Sequence, residues 1–350
     1  MQGIWSEQDT TPSHVEAALR ELLKERHAEN EGYVPARVLN LVVIVDKEWR
    51  GEIENRLARV GRNHPSRTVV CAVEPGRETL DAWATMTSEG TPRAGSFCVS
   101  HEHVVVEVGP QHLESLDTIV DPLVVTDLAT VVWSPHGHQV AVDALRRIAQ
   151  VVLLDSVDEP DTHRALGRSA ELAERAYVVD LAWLRSTPWR ERIAATFDPP
   201  QWRAELARVS SVTVRHRTDS TVAGLLLLGW LATRLGWRPE KMVAGGGELR
   251  GRARGQRDEV LLRLEPDERM SVPGLAGLSI ETQSGMSITL ERGEGGLAAT
   301  RRDRKGGASH WTVLGASRGE AGILGEGIRQ ALLREPTYRR ALTAADAMVP

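Results

Sequence analysis

Between residues 37 and 73 the chain alternates in a way that leaves few folds open. RVLNLVVIVD (37–46) and RTVVCAV (67–73) are short runs rich in β-branched residues, and a polar, amphipathic stretch (47–62) separates them. A run that is apolar at successive positions suits a strand covered on both faces, and the stretch between has the length of one crossover helix. Such a β-α-β unit requires parallel strands and favours a right-handed crossover. A helix is predicted ahead of it over 13–29, with Val15, Leu19, Leu22 and Leu23 on one stripe, Ser13 as N-cap and Glu16 at the capping-box position. Further strands are predicted at 96–108, at 123–133 with a break at Asp127, and at 151–155. Helices are predicted over 110–120, 140–149, 161–176 and 188–197. Residues 1–200 therefore read as an α/β domain, a mostly parallel sheet flanked by helices.

Pro199-Pro200 marks a boundary, because consecutive prolines end a helix and stiffen a link. Beyond it the composition shifts: 21 of the 31 glycines lie from Gly224 onward. Runs at 209–216, 259–264, 278–283, 287–291 and 310–314 alternate as strands of an antiparallel sheet do, with helices over 220–235 and 320–334. Residues 201–350 read as a smaller α+β domain.

Several classes are excluded. With 41% hydrophobic and 26% charged residues the 350-residue chain is globular and long enough for two cores. Two cysteines cannot make a disulfide scaffold. A net charge of -5 offers no global field for nucleic acid or anionic membrane. The longest apolar run, 222–232, is about half of the ~20 residues a bilayer requires. The first residues have neither the basic nor the apolar region of a signal peptide, so the expected location is the cytoplasm, with no membrane and no nucleic-acid partner.

No catalytic constellation is complete. Gly315-Ala316-Ser317-Arg318-Gly319 has the form of a nucleophile elbow, but the last histidine, His310, precedes the serine, whereas a hydrolase places its acid and histidine after it. Gly245-Gly246-Gly247 lacks the lysine of a phosphate-binding loop and reads as a turn. No G-x-G-x-x-G follows either buried strand, so dinucleotide binding lacks its usual mark. The pairs His101/His103 and His136/His138 would have to meet to make a metal site. Cys71 and Cys98 belong to no C-x-x-C pair and read as reduced. The arginines at 250, 252, 254 and 257, and again at 301, 302 and 304 with Lys305, read as solvated loops. No catalytic, cofactor-binding or metal residue is assigned.

One segment concentrates unusual residues. DLAWLRSTPWR (180–190) carries two tryptophans, two arginines and a helix start, with Thr187 suited to the N-cap and Pro188 to the first helical position. Trp and Arg dominate interface hot spots, and two buried tryptophans with capping arginines make an equally good core.

The same segment, extended to DLAWLRSTPWRERIAATFD, resembles the signature of the OpcA family, the glucose-6-phosphate dehydrogenase assembly proteins of actinobacteria and cyanobacteria, which typically read DLAWTRLTPWR here. ARVLNLVVIVD from Ala36, NHPSRTVV from Asn63 and DPLVVTDLATVVWSP from Asp121 resemble that family in the same order. The resemblance implies a non-catalytic allosteric activator that binds glucose-6-phosphate dehydrogenase and promotes its active oligomer, supporting NADPH production in the pentose phosphate pathway, without a cofactor. It makes Asp180, Trp183, Arg185, Thr187, Trp189 and Arg190 the candidate partner-binding residues, with Trp189 as apolar anchor and Arg185 and Arg190 meeting carboxylates. Redox control, a feature of the cyanobacterial branch, would here have only Cys71 and Cys98. The alternative is an α/β enzyme or ligand-binding protein for a phosphosugar or nucleotide.

Overall fold

The computed structural model describes residues 2–29, 37–61, 65–89, 99–255, 258–293, 295–314 and 319–350. In chain order the first half runs β1 (Gln2–Glu7), α1 (Pro12–Glu29), β2 (Leu39–Asp46), α2 (Arg50–Gly61), β3 (Ser66–Val73), β4 (Asp81–Glu89), β5 (Val99–Val108), α3 (Leu116–Val120), β6 (Thr130–Trp133), α4 (Gln139–Leu145), β7 (Val151–Leu154), α5 (Thr162–Ala173) and β8 (Tyr177–Asp180). Then come α6 (Leu181–Arg185), α7 (Thr187–Phe197), α8 (Pro200–Arg203), β9 (Val209–Arg217), α9 (Thr221–Leu235), β10 (Arg238–Pro239), β11 (Val243–Gly245), β12 (Glu248–Arg254), β13 (Glu259–Asp267) and β14 (Leu275–Thr282). The chain closes with β15 (Ser287–Gly293), β16 (Gly296–Arg302), β17 (Ala308–Leu314), α10 (Gly319–Leu333) and α11 (Tyr338–Asp346). Among the described residues no helix is long and apolar enough to cross a membrane.

The chain divides into two compact units that interleave along the sequence. The first comprises residues 1–154, 175–179 and 324–333, and the second 155–174, 180–323 and 334–350. Residues 155–200, apart from 175–179, thus belong with the C-terminal sheet. The reason is packing: α5 and α6 lie against α9, and α11 lies against both α5 and α9.

The first unit holds an eight-stranded sheet in the order β1-β4-β5-β3-β2-β6-β7-β8. The β5–β3, β3–β2, β2–β6 and β6–β7 pairs are parallel, as the β-α-β pattern requires, and β4 and β1 add antiparallel edge strands. Residues 39–45 of β2 are all buried, which is why that strand reads as continuous apolar sequence rather than alternating. From β2 the chain proceeds one way to β3 and the other way to β6, so the sheet has its crossing point between β2 and β6.

Two expectations need correction here. The 123–133 run is strand only from Thr130, because Asn40 captures the preceding residues: its amide nitrogen donates to the carbonyls of Val125 (2.9 Å) and Leu128 (3.3 Å), and its oxygen accepts from the Val125 amide at 2.9 Å. Those bonds curl the chain around one side chain instead of extending it. Strand β4 is an addition to the predicted strands, and its residues 82–86 alternate between buried and half-exposed positions.

The second unit holds a nine-stranded sheet, β10-β12-β13-β9-β14-β15-β16-β17 with β11 paired to β12, and it is the larger of the two sheets by strand count. Among the described residues its ladders are antiparallel except β13–β9. Gly245-Gly246-Gly247 closes the β11–β12 hairpin, with Gly246 and Gly247 both at positive φ (64° and 84°), as a tight two-residue turn demands. The arginines expected in a loop at 250, 252 and 254 instead occupy one side of β12, each paired with an acid: Glu248, Glu259 (3.0 Å) and Glu240 (3.2 Å) respectively. Arg257, Cys98 and Ser317 lie outside the described residues.

Helix α9 is apolar almost all round because α11 and the sheet cover it. At Gly229 a Cβ would run into the Ala341 carbonyl oxygen of α11, with the Ala345 amide nitrogen 3.0 Å away. Gly167, by contrast, sits mid-helix in α5 with open space around it. Gly229→Ala should therefore lose about 1–3 kcal/mol to overpacking despite its better helix propensity, whereas Gly167→Ala should gain about 0.5–1 kcal/mol. Urea unfolding of the two variants tests this, and changes of the same sign would contradict the packing described.

Candidate functional site

Segment 180–190 forms the interior seam of the second unit. Asp180 ends β8 with its carboxylate 1% exposed, and a carboxylate so placed must be met by donors. One oxygen accepts from the amides of Ala182 (2.9 Å) and Ser156 (3.1 Å), which caps α6, and the other accepts from the Tyr338 hydroxyl of α11 at 3.0 Å. Burial, and then the nearby Asp155 charge, push the Asp180 carboxyl up to about 6. Asp155 itself pairs with Arg185 at 2.6 Å.

The tryptophans are equally interior. Trp183 (2% exposed) donates its indole N–H to Glu335 at 3.2 Å, packs at 5.6 Å against Tyr338, and carries the Arg190 guanidinium 3.5 Å above its ring. Arg190 also donates to the Thr187 hydroxyl (2.8 Å) and the Trp183 carbonyl (3.3 Å). Trp189 is 1% exposed, among the largest fully buried side chains. The cap of α7 falls at Ser186, one residue before the expected Thr187, and Ser186 Oγ donates back to the Trp183 carbonyl at 2.7 Å. All six candidates are thus brought together, but around one another. Trp189 has no surface to offer as an anchor, and Arg185 and Arg190 already hold partners within this chain.

The ends of the parallel strands in the first unit are built differently. Lys47 donates to Glu74 (3.0 Å) and Glu107 (2.9 Å), Arg50 to Glu107 (3.0 Å), and Arg77 to Glu74, Asp81 and Glu107 at 2.6–2.7 Å. Hydrogen bonds donated to Glu107 and Glu74 raise the Lys47 ammonium above its ordinary value, and those accepted from Lys47 and Arg77 lower the Glu74 carboxyl. At the crossing point, the turn after β2 reads Asp46-Lys47-Glu48-Trp49 where a dinucleotide-binding fold would place glycines. His138, in the loop after β6, lies 3.0 Å from Asp46, and His136 lies 4.0 Å from it and 5.9 Å from the Trp49 ring. Burial holds His136 below its usual range, and burial followed by the Arg50 charge holds His103 at about 4. The two histidine pairs do not converge, and among the described residues no cluster of three His, Cys, Asp or Glu is placed to hold a metal ion. Cys71 is fully buried, with its thiol pushed up to about 12. No motif in the sequence marks Trp49 and Glu48, which stand where those glycines would be.

The fold and these sites define an α/β protein with a second sheet domain, its strand-end charges internally paired. Two family models match most of it: the glucose-6-phosphate dehydrogenase subunit N-terminal domain over residues 57–171 and the C-terminal domain of the same subunit over 176–342. The chain belongs to the OpcA family of glucose-6-phosphate dehydrogenase assembly proteins. A Synechococcus elongatus protein named as OpcA of the OxPP cycle is 26% identical over 242 residues, 68% of this chain and 52% of the relative. Its namesake in Nostoc punctiforme is 28% identical over 160 residues, 45% of this chain and 34% of the relative. The matches thus span about half or less of these relatives' lengths. Among solved structures, the WlbA dehydrogenase of Thermus thermophilus aligns over 88% of this chain and 94% of its own at 14% identity, with a TM-score of 0.45.

The raised carboxyl of Asp180 has a consequence for stability. A folded-state value of about 6 against an ordinary 3.8 means the folded chain holds this proton more tightly, so Asp180 weakens folding as pH rises from about 4 to about 6. Asp180→Asn keeps the amide acceptor and removes the titration. Its stability relative to the unsubstituted chain should rise across that interval by up to about 3 kcal/mol, read by urea unfolding at several pH values. A gap independent of pH would contradict the assignment.

Proposed function

We propose that this chain is a non-catalytic partner of glucose-6-phosphate dehydrogenase: it binds the enzyme, favours its active oligomer and raises its activity, and so supports NADPH production in the cytoplasm. The observation that carries this reading is the family match across 57–342, which includes the seam at 180–190. The geometry fits it. A dinucleotide pyrophosphate needs a glycine turn and free amides at the crossing point, and there Asp46 and Glu48 present negative charge instead. A phosphosugar would need convergent free cations, whereas Lys47, Arg50 and Arg77 are already bound to carboxylates. An effector acts only by binding two states of its target unequally. In this reading residues 180–190 contribute by fixing the shape of the second unit, not by touching the partner.

The test is the rate of the same organism's dehydrogenase across glucose 6-phosphate concentrations, with and without this chain, together with co-elution on a sizing column. The expected result is a lowered KM or raised kcat with co-elution. Unchanged kinetics and separate elution would overturn the proposal.

A further inference from the structure

At the ends of β2 and β3 lies a cleft of about 570 Å³ lined by Asp46, Lys47, Glu48, Val73, Glu74 and Pro75. Its charge is not balanced. Lys47, the one cation of the lining, is drawn to Glu74 and Glu107. Glu48 is exposed, with no cation paired to it among the described residues, and the Asp46 side chain is 39% exposed beside His138. Next along the turn Trp49 is 47% exposed, and its one ring neighbour among the described residues is His136 at 5.9 Å. A half-exposed indole next in sequence to the exposed, cation-free Glu48, with the part-exposed Asp46 two residues before that, suits a cation with an aliphatic stem: the ring face takes the stem and guanidinium, and the carboxylates take the charge.

We propose, building on the partner assigned above, that this rim docks a cationic surface segment of the dehydrogenase, an arginine- or lysine-bearing loop whose stem lies on Trp49 and whose charge meets Glu48 and Asp46. The position that would hold phosphate in a nucleotide-binding sheet thus takes a positive protein side chain, the reverse electrostatic choice. Trp49 is the anchor, and the two carboxylates set orientation and association rate.

The experiment measures binding of the full chain to the same organism's dehydrogenase by biolayer interferometry at low and raised salt, with sedimentation velocity on the chain alone. Trp49→Ala and Glu48→Lys should each weaken binding at least tenfold with unchanged melting temperature. The Glu48→Lys deficit should shrink at raised salt, where exposed charges are screened. Val243→Ala, at a 70% exposed position on β11, should bind as the unsubstituted chain does. Binding by both rim variants within twofold of the unsubstituted chain would overturn the inference while leaving the partnership intact. The inference also fails if the variants alter only self-association of this chain. If the unsubstituted chain itself does not bind, the partnership falls, and this inference with it.

Discussion

A carboxylate removed from water has to be surrounded by donors, and the way Asp180 meets that requirement organises the second unit. Its two oxygens reach amides at 156 and 182 and a hydroxyl at 338, so one side chain ties together segments separated by 24 and 158 residues. Around it the neighbours are constrained in turn. Arg185 neutralises Asp155. Trp183 lies between Tyr338 and the Arg190 guanidinium. Glu335, which receives the Trp183 indole, also accepts from the amides of Thr337 and Tyr338 and so starts α11. The density of Trp, Arg and Asp in one short stretch follows from that interior role. Each polar group there needs a partner in the same chain, because no solvent is available to serve.

The first unit uses charge in the opposite sense. At the strand ends Lys47, Arg50 and Arg77 interleave with Glu74, Asp81 and Glu107, and the lattice neutralises what a nucleotide-binding fold would leave open for phosphate. At the outermost turn Glu48 and Trp49 stand exposed to solvent.

The parallel sheet was legible because its strands are covered on both faces and therefore read as unbroken β-branched runs, as in 39–45 and 151–153. What a single side chain decides was not legible. Nothing local in VTDLATVVW announces that Asn40, 85 residues earlier, folds its first half into a turn. The β12 arginines looked like a loop because glycine is interleaved with them, yet strand pairing to β13 accommodates that glycine and places the charges along one side. In the 180–190 segment the density of Trp, Arg and Asp marks the stretch without assigning it a role. Hot-spot composition and core composition coincide for Trp and Arg, however, and only burial separates them. The division of the chain into units was hidden for a related reason: α5 and α6 follow the first sheet in sequence but pack on α9 and α11.

Hydrogen–deuterium exchange of this chain, free and in the presence of the dehydrogenase, tests the central claim most directly, because it reports contact and burial in the same measurement. New protection is expected at residues 46–49 on adding the enzyme, and at 180–190 slow exchange that is already present in the free chain and does not change. Protection that arises at 180–190 only with the enzyme, with none at 46–49, would show that the seam and not the 46–49 turn meets the partner.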